Sequence, residues 1–111
     1  MITDILQIEQ GWSAAQRLAA EQVRRFVDEQ VLPCIGAHHQ GETFPEELVA
    51  PLRDLGILES IAEYALDPIS YGLISREMER GSSALRSILS VQGSLVIGAI
   101  QQFGSAEQKD R

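Results

Sequence analysis

The sequence predicts an all-α fold, an up-down helical bundle of about four or five helices. Three observations carry that expectation. Apolar residues recur at three- and four-residue steps, and no stretch of four or more residues alternates in the manner of a half-buried strand. Ser13, Thr43 and Ser105 each stand three residues before Glu or Gln, the capping-box spacing. Prolines and glycines fall largely between the periodic segments. With 111 residues and no repeat or low-complexity linker, the chain is expected to be one domain, residues 1–111.

The first helix is expected over residues 13–32. Ser13-Ala14-Ala15-Gln16 opens it, and Ala15, Ala19, Val23, Phe26, Val27 and Val31 form its apolar stripe. Arg17–Glu21, Glu21–Arg25, Arg24–Asp28 and Arg25–Glu29 stand at i,i+4 on the other side. Each such pair contributes about 0.2–0.5 kcal/mol, so Arg24-Arg25 reads as part of a paired, solvated face. Pro33 lacks an N–H donor and is expected to end the helix or bend its last turn. His38-His39-Gln40-Gly41-Glu42 then reads as a polar loop. Adjacent histidines diverge, and no third ligand follows at a recognisable spacing, so no metal site is expected. Cys34 is expected to be an inert, partly buried thiol.

Thr43-Phe44-Pro45-Glu46 is the second capping box, with proline in the first turn. Leu48, Val49, Leu52 and Leu55 follow at helical spacing up to Gly56, a left-handed C-cap. Residues 57–64 carry no decisive pattern. Asp67-Pro68 opens another helix, with Ile69, Leu73, Ile74 and Met78 inward and Gly81 at its end. Residues 83–103 are apolar nearly all round, the pattern of a helix in the middle of a bundle. Gly93 costs that helix about 1 kcal/mol relative to alanine, which implies a close approach by a neighbour or ligand. Ser105-Ala106-Glu107-Gln108 opens a helix so near Arg111 that it reads as interrupted.

Charge narrows the function classes. Nine Lys+Arg against 16 Asp+Glu leave a net charge of −7, which argues against nucleic-acid binding and against a polybasic membrane patch. One cysteine forms no intramolecular disulfide. The start lacks a signal-peptide pattern and no run approaches a membrane span, so a cytoplasmic location without membrane contact is expected.

One constellation carries chemistry. Arg86, Ser90 and Ser94 stand at i, i+4 and i+8 on the long apolar helix. Arginine stays charged, so placing it among apolar residues requires an anion or several acceptors. A guanidinium beside a hydroxyl suits a carboxylate, held by two parallel hydrogen bonds. The competing reading is an ion pair with Glu79 or Glu77 at the end of the preceding helix, and spacing leaves both open. No Ser-His-Asp, Cys-His, phosphate-loop or dinucleotide glycine pattern occurs.

Longer motifs add a resemblance. Val31-Leu32-Pro33, Phe44-Pro45-Glu46-Glu47-Leu48 and Leu55-Gly56-Ile57-Leu58 occur in this order. They are followed by Tyr71-Gly72-Leu73-Ile74-Ser75-Arg76-Glu77-Met78-Glu79-Arg80 and Phe103-Gly104-Ser105-Ala106-Glu107-Gln108-Lys109. Together, over residues 13–111, they resemble the N-terminal helical domain of acyl-CoA dehydrogenases. Leu85-Arg86-Ser87-Ile88-Leu89-Ser90-Val91-Gln92-Gly93-Ser94-Leu95-Val96 is most similar to the glutaryl-CoA dehydrogenases. Glu63-Tyr64-Ala65-Leu66-Asp67-Pro68 departs from the pattern, being shorter and without the family's glycines.

The resemblance implies that Arg86 and Ser90 bind the distal carboxylate of a short dicarboxylyl-CoA and that Glu79 contacts the arginine. It implies a flavoprotein that uses FAD to oxidise an acyl-CoA thioester between its α and β carbons. In that family a middle β-domain supplies most flavin contacts and a second helical domain carries the catalytic glutamate; both are absent from this sequence. The chain is then expected to form one wall of the acyl pocket, to supply no catalytic residue, and to bind no FAD and be inactive alone. The alternative is a truncated, non-catalytic helical module that covers an apolar face by self-association or with a protein partner.

Overall fold

A computed structural model of the protein describes residues 5–63 and 66–111. Among these residues there is no strand. A short 3-10 turn, Ile8–Gly11, leads into α1 (Ala14–Phe26), a π turn (Val27–Val31) and α2 (Leu32–Gly41), which form one continuous helix. A 3-10 turn (Glu46–Leu48) runs into α3 (Val49–Asp54), and α4 (Ile57–Ala62) follows. After α5 (Pro68–Gly81), a second long helix comprises α6 (Ser83–Ser90), a π stretch (Val91–Ile97) and α7 (Gly98–Phe103). A short α8 (Ala106–Lys109) comes last. The helix beyond the five read from the sequence is α4, where residues 57–64 carry no decisive pattern.

Inter-helix contacts fix the directions. Gln16 Nε2 donates to Asp67 Oδ1, Arg24 pairs with Glu77 and Asp28 with Arg80, so α1 and α5 advance together. Tyr71 meets Ser94 and Glu79 meets Arg86, so the long last helix returns antiparallel to α5. With α3 and α4 as the return leg, the order is up, down, up, down. Val23, Phe26, Val27 and Val31 from the first helix meet Leu48, Leu52, Ile57, Ile74, Met78, Leu85 and Leu89 in one core.

Local signals account for most helix starts. Ser13 and Ser105 form complete capping boxes with Gln16 and Gln108. Asp67 caps α5 by accepting from the N–H groups of Ile69 and Ser70, both at 3.0 Å, and Pro68 sits in the first turn. The hydroxyl and N–H of Ser70 hold the Asp67 carboxyl down at about 2. Gly56 takes the left-handed conformation, with φ of 71°, at the junction of α3 and α4.

Several local expectations are corrected. Pro33 does not end the first helix. The turn before it widens to i→i+5, with the Leu32 N–H donating to the Val27 carbonyl, and this register change accommodates a residue that has no donor. His38 to Gly41 therefore lie in α2, and the chain turns at Glu42, with φ of 54°. The Thr43 box does not form: Pro45 holds the N-cap position of a 3-10 turn, and the Thr43 hydroxyl bonds His38 instead. Ala15 and Ile69 are exposed rather than inward. Arg24 turns to the buried Glu77 on α5, an acceptor held by packing, and Asp28 accepts from Arg80, also on α5.

Gly93 meets the expectation of close approach, since a Cβ there would lie 2.7 Å from Ile61 Cδ1. Gly81 is crowded from two sides by the core, where a Cβ would stand 2.9 Å from Val27 Cγ1 and 3.1 Å from Val31 Cγ1. Both valines are fully buried against that point. Gly81→Ala should therefore lower stability by about 1–3 kcal/mol through overpacking, despite alanine's better helix propensity. Urea denaturation of the two proteins measures the difference.

The long last helix is the main departure from a simple bundle. Leu85, Leu89 and Gly93 are buried, whereas Val91, Leu95, Ala99 and Phe103, at four-residue steps, are exposed. The accessible surface is 7619 Å², against ~6,100 Å² for a monomer of this mass. The radius of gyration is 15.3 Å, against about 13 Å for a domain of this length. The helix is central only in its first half. By length and composition, with a mean hydropathy of 1.4, Ser83–Phe103 is also apolar enough to cross a membrane. Its uncovered face contributes to the excess surface.

Candidate functional site

The site is built at the corner between α5 and α6. Ser82, extended at φ −164°, caps α6 by accepting from the Leu85 N–H, which turns the chain back on itself. The last turn of α5 thereby faces the first two turns of α6. Glu79 comes from the former, and Ser83, Arg86 and Ser90 from the latter.

These four side chains form one chain of hydrogen bonds. Arg86 Nε donates to Glu79 Oε2 at 2.8 Å, and the Ser83 hydroxyl donates to Glu79 Oε1 at 2.5 Å. Arg86 Nη1 donates to the Ser90 hydroxyl at 3.3 Å, and that hydroxyl donates to the Ser87 carbonyl at 3.1 Å. The Ser83 hydroxyl and then the Arg86 guanidinium hold the Glu79 carboxyl below the usual glutamate range. Arg86 is half-buried, with 39% of its side chain accessible.

The three sequence-predicted site residues, Glu79, Arg86 and Ser90, are thus brought together. The partner question is also decided, because Glu77 faces α1 and Glu79 faces Arg86. A guanidinium has five N–H donors, and among the described residues these contacts engage only its Nε and Nη1. The Nη2 end is left available. Glu79 orients the fork and Ser90 supports it, an arrangement able to take a carboxylate or other planar anion.

Ser94, one turn further on, is directed elsewhere. Its hydroxyl lies 2.8 Å from the Tyr71 hydroxyl, at the edge of a cleft of about 240 Å³. Ile61, Leu66, Pro68, Gly93, Gly98 and Gln101 complete that cleft, and Gln101 Nε2 donates to the Ala62 carbonyl at 2.6 Å. Arg86 does not line it. The shortened segment noted in the sequence includes Tyr64 and Ala65, which lie outside the described residues.

A second cluster was not anticipated. Cys34 Sγ, a His38 ring nitrogen and a Glu47 oxygen all lie within 4.8 Å of one another. His38 Nε2 is 2.5 Å from Glu47 Oε1 and Nδ1 is 2.8 Å from Thr43 Oγ1. The hydrogen bond to His38 is the main influence lowering the Glu47 carboxyl. The signal was a cysteine and a histidine at i,i+4. It is legible only once the helix is known to continue through Pro33.

Comparison with known proteins places these observations. The family model described as acyl-CoA dehydrogenase, N-terminal domain, matches residues 13–111. The mitochondrial short-chain specific acyl-CoA dehydrogenase of Rattus norvegicus is 30% identical over 93 residues, covering 79% of this chain and 23% of that protein. The Homo sapiens protein of the same name is 32% identical over 91 residues, covering 78% and 22%. An acyl-CoA dehydrogenase of Bacillus subtilis (strain 168) is 29% identical over 99 residues, covering 85% and 26%. The chain thus spans about a quarter of the length of these relatives. No solved structure gives a significant match. On the family match across nearly its whole length, the chain belongs to the acyl-CoA dehydrogenase N-terminal domain family.

Proposed function

We propose that this domain is one wall of the acyl pocket in a flavin-dependent enzyme that oxidises a short acyl-CoA thioester between its α and β carbons. We further propose that the acyl group carries a distal carboxylate, as in a glutaryl thioester. The observation that carries the second step is the Glu79–Arg86–Ser90 arrangement, a guanidinium held at Nε and Nη1 with Nη2 uncommitted among the described residues. The domain orients substrate and supplies no catalytic residue.

FAD, the electron acceptor in such a reaction, is assigned to other parts of a complete enzyme. The cleft here that gathers cations is lined by Trp12, Arg17, Arg24 and Arg76. Those cations are already engaged: Arg24 and Arg76 with Glu77, Arg17 with the carbonyls of Trp12 and Glu9. Alone, the domain is expected to be inactive and colourless. We assign the exposed Val91–Leu95–Ala99–Phe103 face to protein contact rather than to lipid or nucleic acid, because a charged arginine and its ion pair sit on the same helix. The same exposed face favours a second reading, a non-catalytic module that self-associates or binds a partner.

Arg86→Lys in the complete enzyme tests the substrate assignment. Lysine keeps the charge and loses the planar fork. A charge-assisted hydrogen bond contributes about 1.5–3 kcal/mol, so kcat/KM for a dicarboxylyl-CoA should fall about tenfold or more. A monocarboxylic acyl-CoA of equal length should be little affected. Equal losses on both substrates, tracking the thermal melt, would leave Arg86 as scaffold.

A further inference from the structure

The geometry points to a divalent-metal site, of the kind that takes Zn²⁺, formed by Cys34 Sγ, His38 Nε2 and a Glu47 carboxylate oxygen, with its fourth position open to solvent. Nothing in the acyl-CoA chemistry uses these residues, and they lie on α2 and the Glu46–Leu48 turn, not on the α5–α6 corner.

Distance is the first argument. The three donor atoms lie within 4.8 Å of one another. A tetrahedral zinc with Zn–S of about 2.3 Å and Zn–N or Zn–O of about 2.0–2.1 Å needs neighbouring ligands roughly 3.3–3.6 Å apart. Metal binding would open the His38–Glu47 contact of 2.5 Å and draw the donors that stand further apart together.

Placement is the second. Cys34 and His38 are one turn apart on a single helix, so their separation is set by backbone geometry. Glu47 arrives on a turn whose neighbours Pro45 and Leu48 are buried, which anchors it opposite that face. The Thr43 hydroxyl bonds His38 Nδ1 and leaves Nε2 directed at Glu47. Metal-binding histidines are oriented by such a partner on the other ring nitrogen.

Donor chemistry is the third. Thiolate, imidazole and carboxylate together suit a borderline metal such as zinc, whereas calcium and magnesium select oxygen ligands. The Cys34 thiol now donates to the carbonyls of Gln30 and Val31, at 3.3 and 3.5 Å. On metal binding its proton passes to solvent, and the proton between His38 and Glu47 is displaced in the same way. The competing arrangement, a plain His38–Glu47 ion pair, makes no use of Cys34.

Cobalt reports on the thiolate directly. Titration of the 111-residue chain with Co²⁺ should give a sulfur-to-cobalt charge-transfer band at one equivalent, abolished by excess Zn²⁺. Cys34→Ser should remove the band, and His38→Gln should weaken Zn²⁺ binding at least tenfold. Thr43→Val, which removes only the orienting hydroxyl, should weaken it about 10–100-fold. Zn²⁺ should raise the melting temperature of the parent chain and leave that of Cys34→Ser unchanged. Absence of the band with the folded parent chain, or Zn²⁺ uptake unaltered by Cys34→Ser, would overturn the site and leave the ion pair.

Discussion

Leu85→Ala should destabilise the protein by about 2–5 kcal/mol, while Leu95→Ala, ten residues along the same helix, should change stability by about 0.5 kcal/mol or less. Leu85 is 1% exposed and sits in the core with Met78 and Leu89, so truncation removes apolar burial and leaves a cavity. Leu95 is 66% exposed in this chain and loses little. For a domain whose total stability is on the order of 5–15 kcal/mol, the first change lowers the melting temperature by on the order of 10 °C or more. Thermal melts at low and high protein concentration check both substitutions. The comparison also reads the exposed face. A second copy or a partner seated on Leu95 would make its truncation costly, and that cost would fall on dilution.

Glu77→Gln should be the second-largest effect, at about 1.5–3 kcal/mol near neutral pH. Glu77 is 3% exposed and accepts from Arg80 at 2.9 Å, Arg76 at 3.2 Å and Arg24 at 3.3 Å, which ties α1 to α5. The loss stays below the roughly 3–5 kcal/mol of a fully buried pair, because the three arginines are half-exposed and return to water. Burial pushes this carboxyl up, but the Arg80 hydrogen bond and the charge of Arg24 outweigh it and hold it below the ordinary 4.5.

The pH dependence follows from that direction. The unfolded chain takes up the proton at higher pH than the folded one. The stabilisation is complete above 4.5 and is lost as pH falls through the lower, folded value. The parent should therefore lose stability on acidification faster than Glu77→Gln, and the gap between them should close. Urea melts from neutral to acid pH measure this, and parallel curves would show that Glu77 is not the anchor.

What was legible in the sequence was what short-range physics decides. Ser13 and Ser105 cap because hydroxyl and amide lie three residues apart on one turn, and Asp67-Pro68 starts α5 for reasons contained in four residues. Gly56 takes the left-handed conformation between α3 and α4 because a residue without a Cβ enters that region at no steric cost. Arg86 and Ser90 were found the same way, since i,i+4 spacing brings them within reach, whereas spacing left Glu77 and Glu79 both open and the family resemblance singled out Glu79. Tertiary packing decided the rest. Val27 and Val31 close against Gly81, and the π turn between them carries the helix through Pro33. That continuation, invisible to local propensity, is what sets His38 one turn above Cys34 and opposite Glu47. Arg24 chose Glu77 over Asp28 because the buried acceptor belongs to another helix. The long last helix is apolar nearly all round, so its sequence does not distinguish its covered apolar face from its open one. Only the position of α5 and α4 against it buries Leu85 and leaves Leu95 in solvent.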